Sequence, residues 1–359
     1  MKEVKKKRIG YLDALRVIAA LAVIIIHVSA ARWNAAPSIH SNHMFITMVL
    51  NTITRWAVPL FVMISGALLL DPKKPFSIRK FYRKNILRIV ITFLVWSVFY
   101  MVFNWKVLKF SPGSIQGAIA SVIEGSYHMW FLYMLLGLYV VTPVLRLITA
   151  NRRMLSYFLF IGILITFIIP GILHIATVGT MVSTNPYMRT IKDILTSVTT
   201  SMHFSFAGSY VIYYLLGYYL RTEVLSKLQR YIIYALGILG AAFGCVVTYK
   251  VSVITDTKYT CLSEYLPWIL AMTTALFVFF RYNCEKIGNS KVVRLFASAS
   301  FGIYLLHAAV LEVVTKNGIF NTLTYDWFLY LLSIVIIFAV SFGITWILQK
   351  IPLVKKIVS

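Results

Sequence analysis

The chain of 359 residues is 60% hydrophobic and 13% charged, yet 35 Lys and Arg outnumber 11 Asp and Glu to give a formal net charge of +24. With a mean hydropathy of +0.81, this composition excludes a soluble globular protein, whose core could not bury so much apolar surface. Long apolar runs without alternation exclude a transmembrane β-barrel and predict an all-α polytopic membrane protein of about ten spans.

The first span, 10–30, contains YLDALRVIAALAVIIIH, an aliphatic helix interrupted by Asp13, Arg16 and His27. At about 100° per residue, His27 returns to within about 20° of Arg16, and Asp13 falls about 60° away. The three share one stripe, and ionisable groups inside a bilayer face a bundle interior or a wet cavity. The helical rise puts His27 about 16 Å from Arg16, toward the outer leaflet. For Asp13 and Arg16 alone, a buried structural ion pair is an equal reading. KKKR before this span and VSAA after it imitate a secretory signal. Asp13 and Arg16 break its apolar region, however, and nine further spans follow.

The second span, 50–70, holds Pro59, expected to kink it and open a cavity beside the first, and Ser65-Gly66, a patch suited to close helix packing. A basic cluster follows: Lys73, Lys74, Arg79, Lys80, Arg83, Lys84 and Arg88. Topology and headgroup anchoring account for the cluster as a whole. Arg83, Lys84 and Arg88, which lead into the third span (87–105), are the candidates for contact with an anionic ligand. The external segment 106–127 includes Glu124, a candidate partner for a sugar hydroxyl. His128 opens the fourth span (129–148) beside Trp130, either as an interfacial residue or at a depth matching His27.

After span 155–175 comes a second external segment, 176–203, expected with the first to cover an acceptor site. Span 204–220 carries Tyr210, Tyr213, Tyr214, Tyr218 and Tyr219, read mainly as interfacial aromatic belts. Spans 231–249 and 263–280 follow. In the ninth, 295–314, Ser300, Tyr304 and His307 recur at i, i+4 and i+7, a polar stripe that is either interhelical glue or part of a site. A tenth span, 327–348, completes the series. Cys245, Cys261 and Cys284 form no metal or redox spacing, and no structural disulfide is expected.

Of the 35 basic residues, 25 fall in the two termini and in the loops and span ends on their side, 8 fall opposite, and Arg16 and Arg55 lie deeper within spans. The positive-inside rule therefore places both termini in the cytoplasm. The charge reports topology, with anionic membrane lipids or an anionic cytosolic ligand as partners and no nucleic acid. No repeat or linker divides the chain, so residues 1–359 are expected to form one membrane domain.

Five ordered segments resemble the acyltransferase 3 family of integral membrane acyltransferases. They are YLDALR followed by ten residues and then His27, WAVPLFVMISGALLL (56–70), RKFYRKNILRI (79–89), HMWFLYMLLGLYVVTPVLR (128–146) and SFGIYLLH (300–307). The resemblance implies a ten-helix core that takes an acyl group, usually acetyl, from cytoplasmic acyl-CoA. It implies as acceptor a hydroxyl on an extracytoplasmic cell-surface glycan or glycolipid, with the protein in the plasma membrane. On that reading His27 is either general base or transient acyl carrier, and Arg16 meets a phosphate or the polarised carbonyl while Asp13 orients it. His128, Ser300, Tyr304 and His307 support the site, and Arg16, Arg83, Lys84 and Arg88 hold the donor. No metal and no permanently bound cofactor is expected.

Relatives often carry a fused SGNH hydrolase-like domain. None is expected here, so a separate extracytoplasmic transferase is a potential partner, and a homodimer is compatible with the sequence. The competing reading is a transporter or exporter of a glycolipid or small polar solute, which a central charged stripe would also suit. Against it, no paired Gly/Pro-interrupted segments occur in corresponding halves. A second family of membrane O-acyltransferases also uses an intramembrane histidine. The place of His27 in the first span and the ISG segment favour acyltransferase 3.

Overall fold

The computed structural model describes residues 8–35, 38–39, 42–109, 112–182, 187, 190, 192–194, 196–197, 210–259, 263–316 and 327–359. Every described element is helical. The chain opens with α1 (Gly10–Ala35), α2 (Asn42–Ile53) and α3 (Ala57–Leu69). Then come α4 (Ile78–Lys106), the short amphipathic α5 (Ile115–Glu124), α6 (Tyr127–Ala150) and α7 (Arg152–Met181). The second half holds α8 (Tyr210–Thr222), α9 (Lys227–Thr255), α10 (Pro267–Asn283), α11 (Lys291–Lys316), α12 (Trp327–Leu348) and α13 (Pro352–Val358).

Among the described residues, eight helical segments are long and apolar enough to cross a bilayer, with α2 and α3 counted as one, so this is a multi-pass membrane protein. The two other predicted spans correspond to α8 and α10, whose described lengths are 13 and 17 residues. Residues 204–209, assigned to the sixth span, lie outside the described residues, as do Cys261 and much of the external segment 176–203.

Burial sorts the helices into centre and rim. In α11, 78% of the apolar window is buried, against 22% in α7 and α9. The central helix therefore has a non-lipid environment on nearly every side, and it packs chiefly against α1 and α12. A second contact is closer still. A Cβ added to Gly66 of α3 would stand 1.8 Å from the carbonyl oxygen of Tyr214 in α8, and one on Gly217 would stand 2.0 Å from that of Met63. The two backbones touch, which is why the ISG segment requires glycine.

One end of the bundle gathers the arginines that the positive-inside asymmetry groups together. The Arg146 guanidinium donates to the carbonyls of Leu69 and Lys74, both at 2.8 Å, and lies over the Phe76 ring. Arg221 donates to the Ala67 carbonyl, Arg281 to those of Leu220 and Glu223, and Arg152 pairs with Glu223. Several of these carbonyls close the C-terminal turns of α3 and α8, where unpaired acceptors and the helix dipole favour cations. At the same end the Glu285 carboxylate caps α1, accepting the backbone N–H groups of Gly10 and Tyr11 at 3.0 Å each. Gly288 makes this docking close, since a Cβ there would fall 1.8 Å from the Gly10 carbonyl oxygen.

Two sequence expectations need correction. Pro59 is the third residue of α3 and does not kink it. In a first turn the missing N–H costs little, and the break in the second span lies earlier, at the turn Thr54–Arg55–Trp56. The tyrosines of α8 are not belts either: Tyr210, Tyr213, Tyr214 and Tyr218 are buried. Tyr213 donates to the Glu264 carbonyl at 2.8 Å and Tyr214 shares a 3.0 Å hydrogen bond with Thr142. Satisfied hydroxyls let these large rings serve as core.

Candidate active site

Arg16 Nη1 donates to Asp13 Oδ1 at 2.6 Å, the spacing of residues one turn apart. Arg16 sits where two cavities meet. One, of about 670 Å³, opens at the arginine-rich end among Arg8, Asp13, Lys74, Arg221 and Glu285. The other, of about 250 Å³, runs inward between α1, α3, α4, α6 and α11, and Arg16, Asn85, Arg88, Thr92, Ser300 and Tyr304 contribute its polar lining with few others. A third cavity of about 490 Å³, lined by Lys74, Lys80, Lys84, Asn85 and Arg146 beside Phe76, adjoins both. Cations surround the mouth and the inner cavity narrows to apolar walls. An anionic head with a slender tail fits that sequence of environments.

Lys84 and Arg88 thus face cavities. Arg83 is exposed and lines none of the three. The reason is local: Tyr82–Ile86 is a π-helical turn, and its extra residue shifts the register of the basic entry to α4. Arg88 also donates from Nε to the Lys356 carbonyl at 3.0 Å, so α13 lies under the inner cavity.

Beyond Tyr304, the lining residue of the inner cavity nearest to them in sequence and contact, three histidines from three elements converge without lining the cavity themselves. The ring centroids of His27 (α1) and His307 (α11) are 5.0 Å apart, and those of His307 and His128 are 5.2 Å apart. His128 rides on the 3-10 turn Tyr127–Met129 that opens α6. Tyr304 joins them: its hydroxyl donates to the His128 carbonyl at 2.6 Å, and its own carbonyl accepts from His307 Nδ1 at 2.6 Å. A carbonyl only accepts, so Nδ1 carries the proton, and in the neutral form of the ring Nε2 is the bare nitrogen. That Nε2 is buried without a partner, as are both ring nitrogens of His128. Buried polar atoms left unpaired in a packed bundle are costly unless a ligand or water completes them.

Ser300 donates to the Ala297 carbonyl at 2.9 Å and also lines the cavity. Ser65 does the same with Phe61 at 3.0 Å. His27 is half-buried and touches the Tyr127 ring, with centroids 5.3 Å apart. Near it, Asn51 donates to the Ile26 carbonyl at 3.2 Å and accepts from Arg55 Nη2 at 2.6 Å. Glu124 is exposed at the end of α5.

Two features escaped the sequence reading. The first is Tyr100, whose hydroxyl donates to the Leu305 carbonyl at 2.7 Å and accepts from the Ala309 N–H at 3.2 Å. It thereby spans the α11 rung that flanks His307, and its ring packs 5.0 Å from that of His128. The second is the ladder to which Tyr100 belongs: Arg88, Thr92, Trp96 and Tyr100 follow at four-residue spacing along α4. That spacing was the available signal, hidden by the apolar residues between.

The fold and the site define the class, a helical membrane protein in which a cationic mouth opens to a cavity that reaches Tyr304, the residue bonded to a buried histidine cluster. A family model described as an acyltransferase domain matches residues 9–350, so the chain belongs to the acyltransferase 3 family and is a membrane acyltransferase. Comparison with curated proteins and with solved structures gave no match.

Arg16 provides a direct test of the cationic channel. Arg16→Lys keeps the charge but loses the planar fork that reaches Asp13 and two cavities at once. We expect acyl transfer to fall about tenfold or more, a cost typical of a lost charge-assisted hydrogen bond. Steady-state rates of thiol release at saturating donor measure it, and an unchanged rate would reduce Arg16 to a generic charge.

Proposed function

We propose that the protein moves an acyl group, acetyl in the first instance, from cytoplasmic acyl-CoA to a hydroxyl of an extracytoplasmic glycan or glycolipid at the plasma membrane. The observation that carries this reading is the inner cavity. It starts between Arg16 and Arg88 and reaches Tyr304, the residue that holds both His128 and His307. Phosphates of the nucleotide pair with Lys74, Lys80, Lys84 and Arg146 at the mouth. The acyl thioester then extends past Arg16 toward His27.

His27 acts as general base on the acceptor hydroxyl, with the bare Nε2 of the neighbouring His307 available to take a proton from it. The hydroxyl oxygen forms the new C–O bond as the C–S bond breaks. CoA departs as the thiol, carrying the proton that the hydroxyl gave up. Arg16 stabilises negative charge on the donor and Asp13 fixes its orientation.

Purified protein in detergent, given radiolabelled acetyl-CoA, is expected to release thiol slowly without acceptor and to transfer label when a hydroxyl acceptor is supplied. Folded wild-type protein that neither binds acetyl-CoA nor releases thiol would overturn the donor assignment.

A further inference from the structure

Thr92, which lines the inner cavity, and Trp96, one turn further along the same helix, each carry a buried polar atom without a partner. Helical threonines here satisfy their hydroxyls internally: Thr142, Thr248, Thr273 and Thr345 each donate to the carbonyl four residues back, at 2.7–2.8 Å. Thr92 is fully buried, lines the inner cavity and makes no such bond. One turn further along α4, Trp96 is 5% exposed, and its Nε1–H has no acceptor. Above it Tyr100 reaches His128 and the His307 segment. Two unpaired polar groups therefore stand between Arg88, at the cationic mouth, and the histidines. From Arg88 to Tyr100 the helix rises about 18 Å.

An indole N–H needs an acceptor, and a hydroxyl offers both a donor and an acceptor. An extended chain carrying amides at intervals supplies these partners in a narrow apolar passage. An unbranched lipid tail supplies none. We infer that Thr92 and Trp96 form a hydrogen-bonding subsite for the amide-bearing arm of the acyl donor. The inference rests on the acyl-CoA reading above and deepens it: Lys84 and Arg88 recognise the nucleotide, whereas Thr92 and Trp96 recognise the arm. The enzyme would then distinguish acyl-CoA from acyl donors of similar charge that lack amides.

The test uses Thr92→Val and Trp96→Phe, which delete the polar atoms and leave the apolar bodies, in full-length protein in detergent. Binding of acetyl-CoA and of 3′,5′-ADP, which carries adenosine phosphates and no arm, is measured for each variant. Acetyl-CoA affinity is expected to fall about tenfold in each variant, the usual cost of an unpaired buried group, with 3′,5′-ADP affinity unchanged. Unchanged acetyl-CoA affinity, or an equal loss for both ligands, would overturn the subsite while leaving the donor assignment standing. Wild type that binds neither ligand would remove the donor assignment and this inference with it. Should Trp96→Phe melt early, Thr92→Val, which changes volume least, decides alone.

Discussion

Replacing His27 with alanine is expected to leave the bundle folded and to reduce acyl transfer by about 10²–10⁴-fold, the range for loss of a positioned general base. The expectation rests on position. His27 alone of the three clustered histidines is half-buried, and its imidazole contacts both His307 and Tyr127. His128 and His307 lie deep, with 2% and 0% exposure, so neither presents an edge to an incoming acceptor. A half-buried ring with neighbours on two faces contributes little to packing, so thermal unfolding in detergent should move by only a few degrees. Thiol release and label transfer, measured beside the melting curve, separate the roles. Retained activity with a lowered melting temperature would make His27 a packing residue.

Gly66→Ala is expected to have the largest effect on stability, at least about 3 kcal/mol, because it adds a methyl group where no side chain can yield. The obstacle is the Tyr214 carbonyl oxygen, 1.8 Å from the position of the new Cβ. Backbone atoms of a helix move only if the whole helix moves, so α3 and α8 would have to separate along their length. That would disturb Tyr214 and its bond to Thr142. Gly137→Ala supplies the control: nothing lies within 4 Å of its Cβ position. Within α6 that change should be neutral or stabilising by about 0.5–1 kcal/mol. Melting of purified variants, followed by loss of the monodisperse peak after heating, reads both. A Gly66→Ala protein that melts with wild type would show that the two backbones are not locked together.

Much of the site was legible because it obeys helical periodicity. Asp13, Arg16 and His27 fall on one stripe of α1, and Ser300, Tyr304 and His307 on one stripe of α11, as repeats of three, four and seven residues require. Both stripes face the same interior. The pairing of Ser65-Gly66 with close packing was equally readable, since small residues in a membrane helix have few other uses. Periodicity fails where the helix stops being regular. The π-turn at Tyr82–Ile86 moves Arg83 away from the cavities while keeping Lys84 and Arg88 on them. It fails again where meaning comes from a partner far along the chain. Nothing local shows that Tyr100 spans a rung of α11, a contact across 205 residues. The α8 tyrosines were misread for the same reason. Their hydroxyls find acceptors on α6 and in the chain before α10, so residues suited to an interface became core.

The cap on α1 has a consequence for how the protein is made. The helix that carries Asp13, Arg16 and His27 is synthesised well before the carboxylate that holds its first turn, which belongs to Glu285, 275 residues later than Gly10. Its chief packing partner, α11, emerges later still. During synthesis α1 must wait in the bilayer with its charged stripe uncovered, a state that costs free energy and that holdase chaperones or lipid headgroups can relieve. Contacts so distant in sequence form slowly. Nascent chains released before about residue 316 should therefore contain every residue of the α1 stripe and still be substrates for membrane quality control. The α1 stripe is covered only once α11 has been made, and the lining of the inner cavity is complete only once α13 is present, since Lys356 accepts from Arg88 and Ser359 lines the cavity.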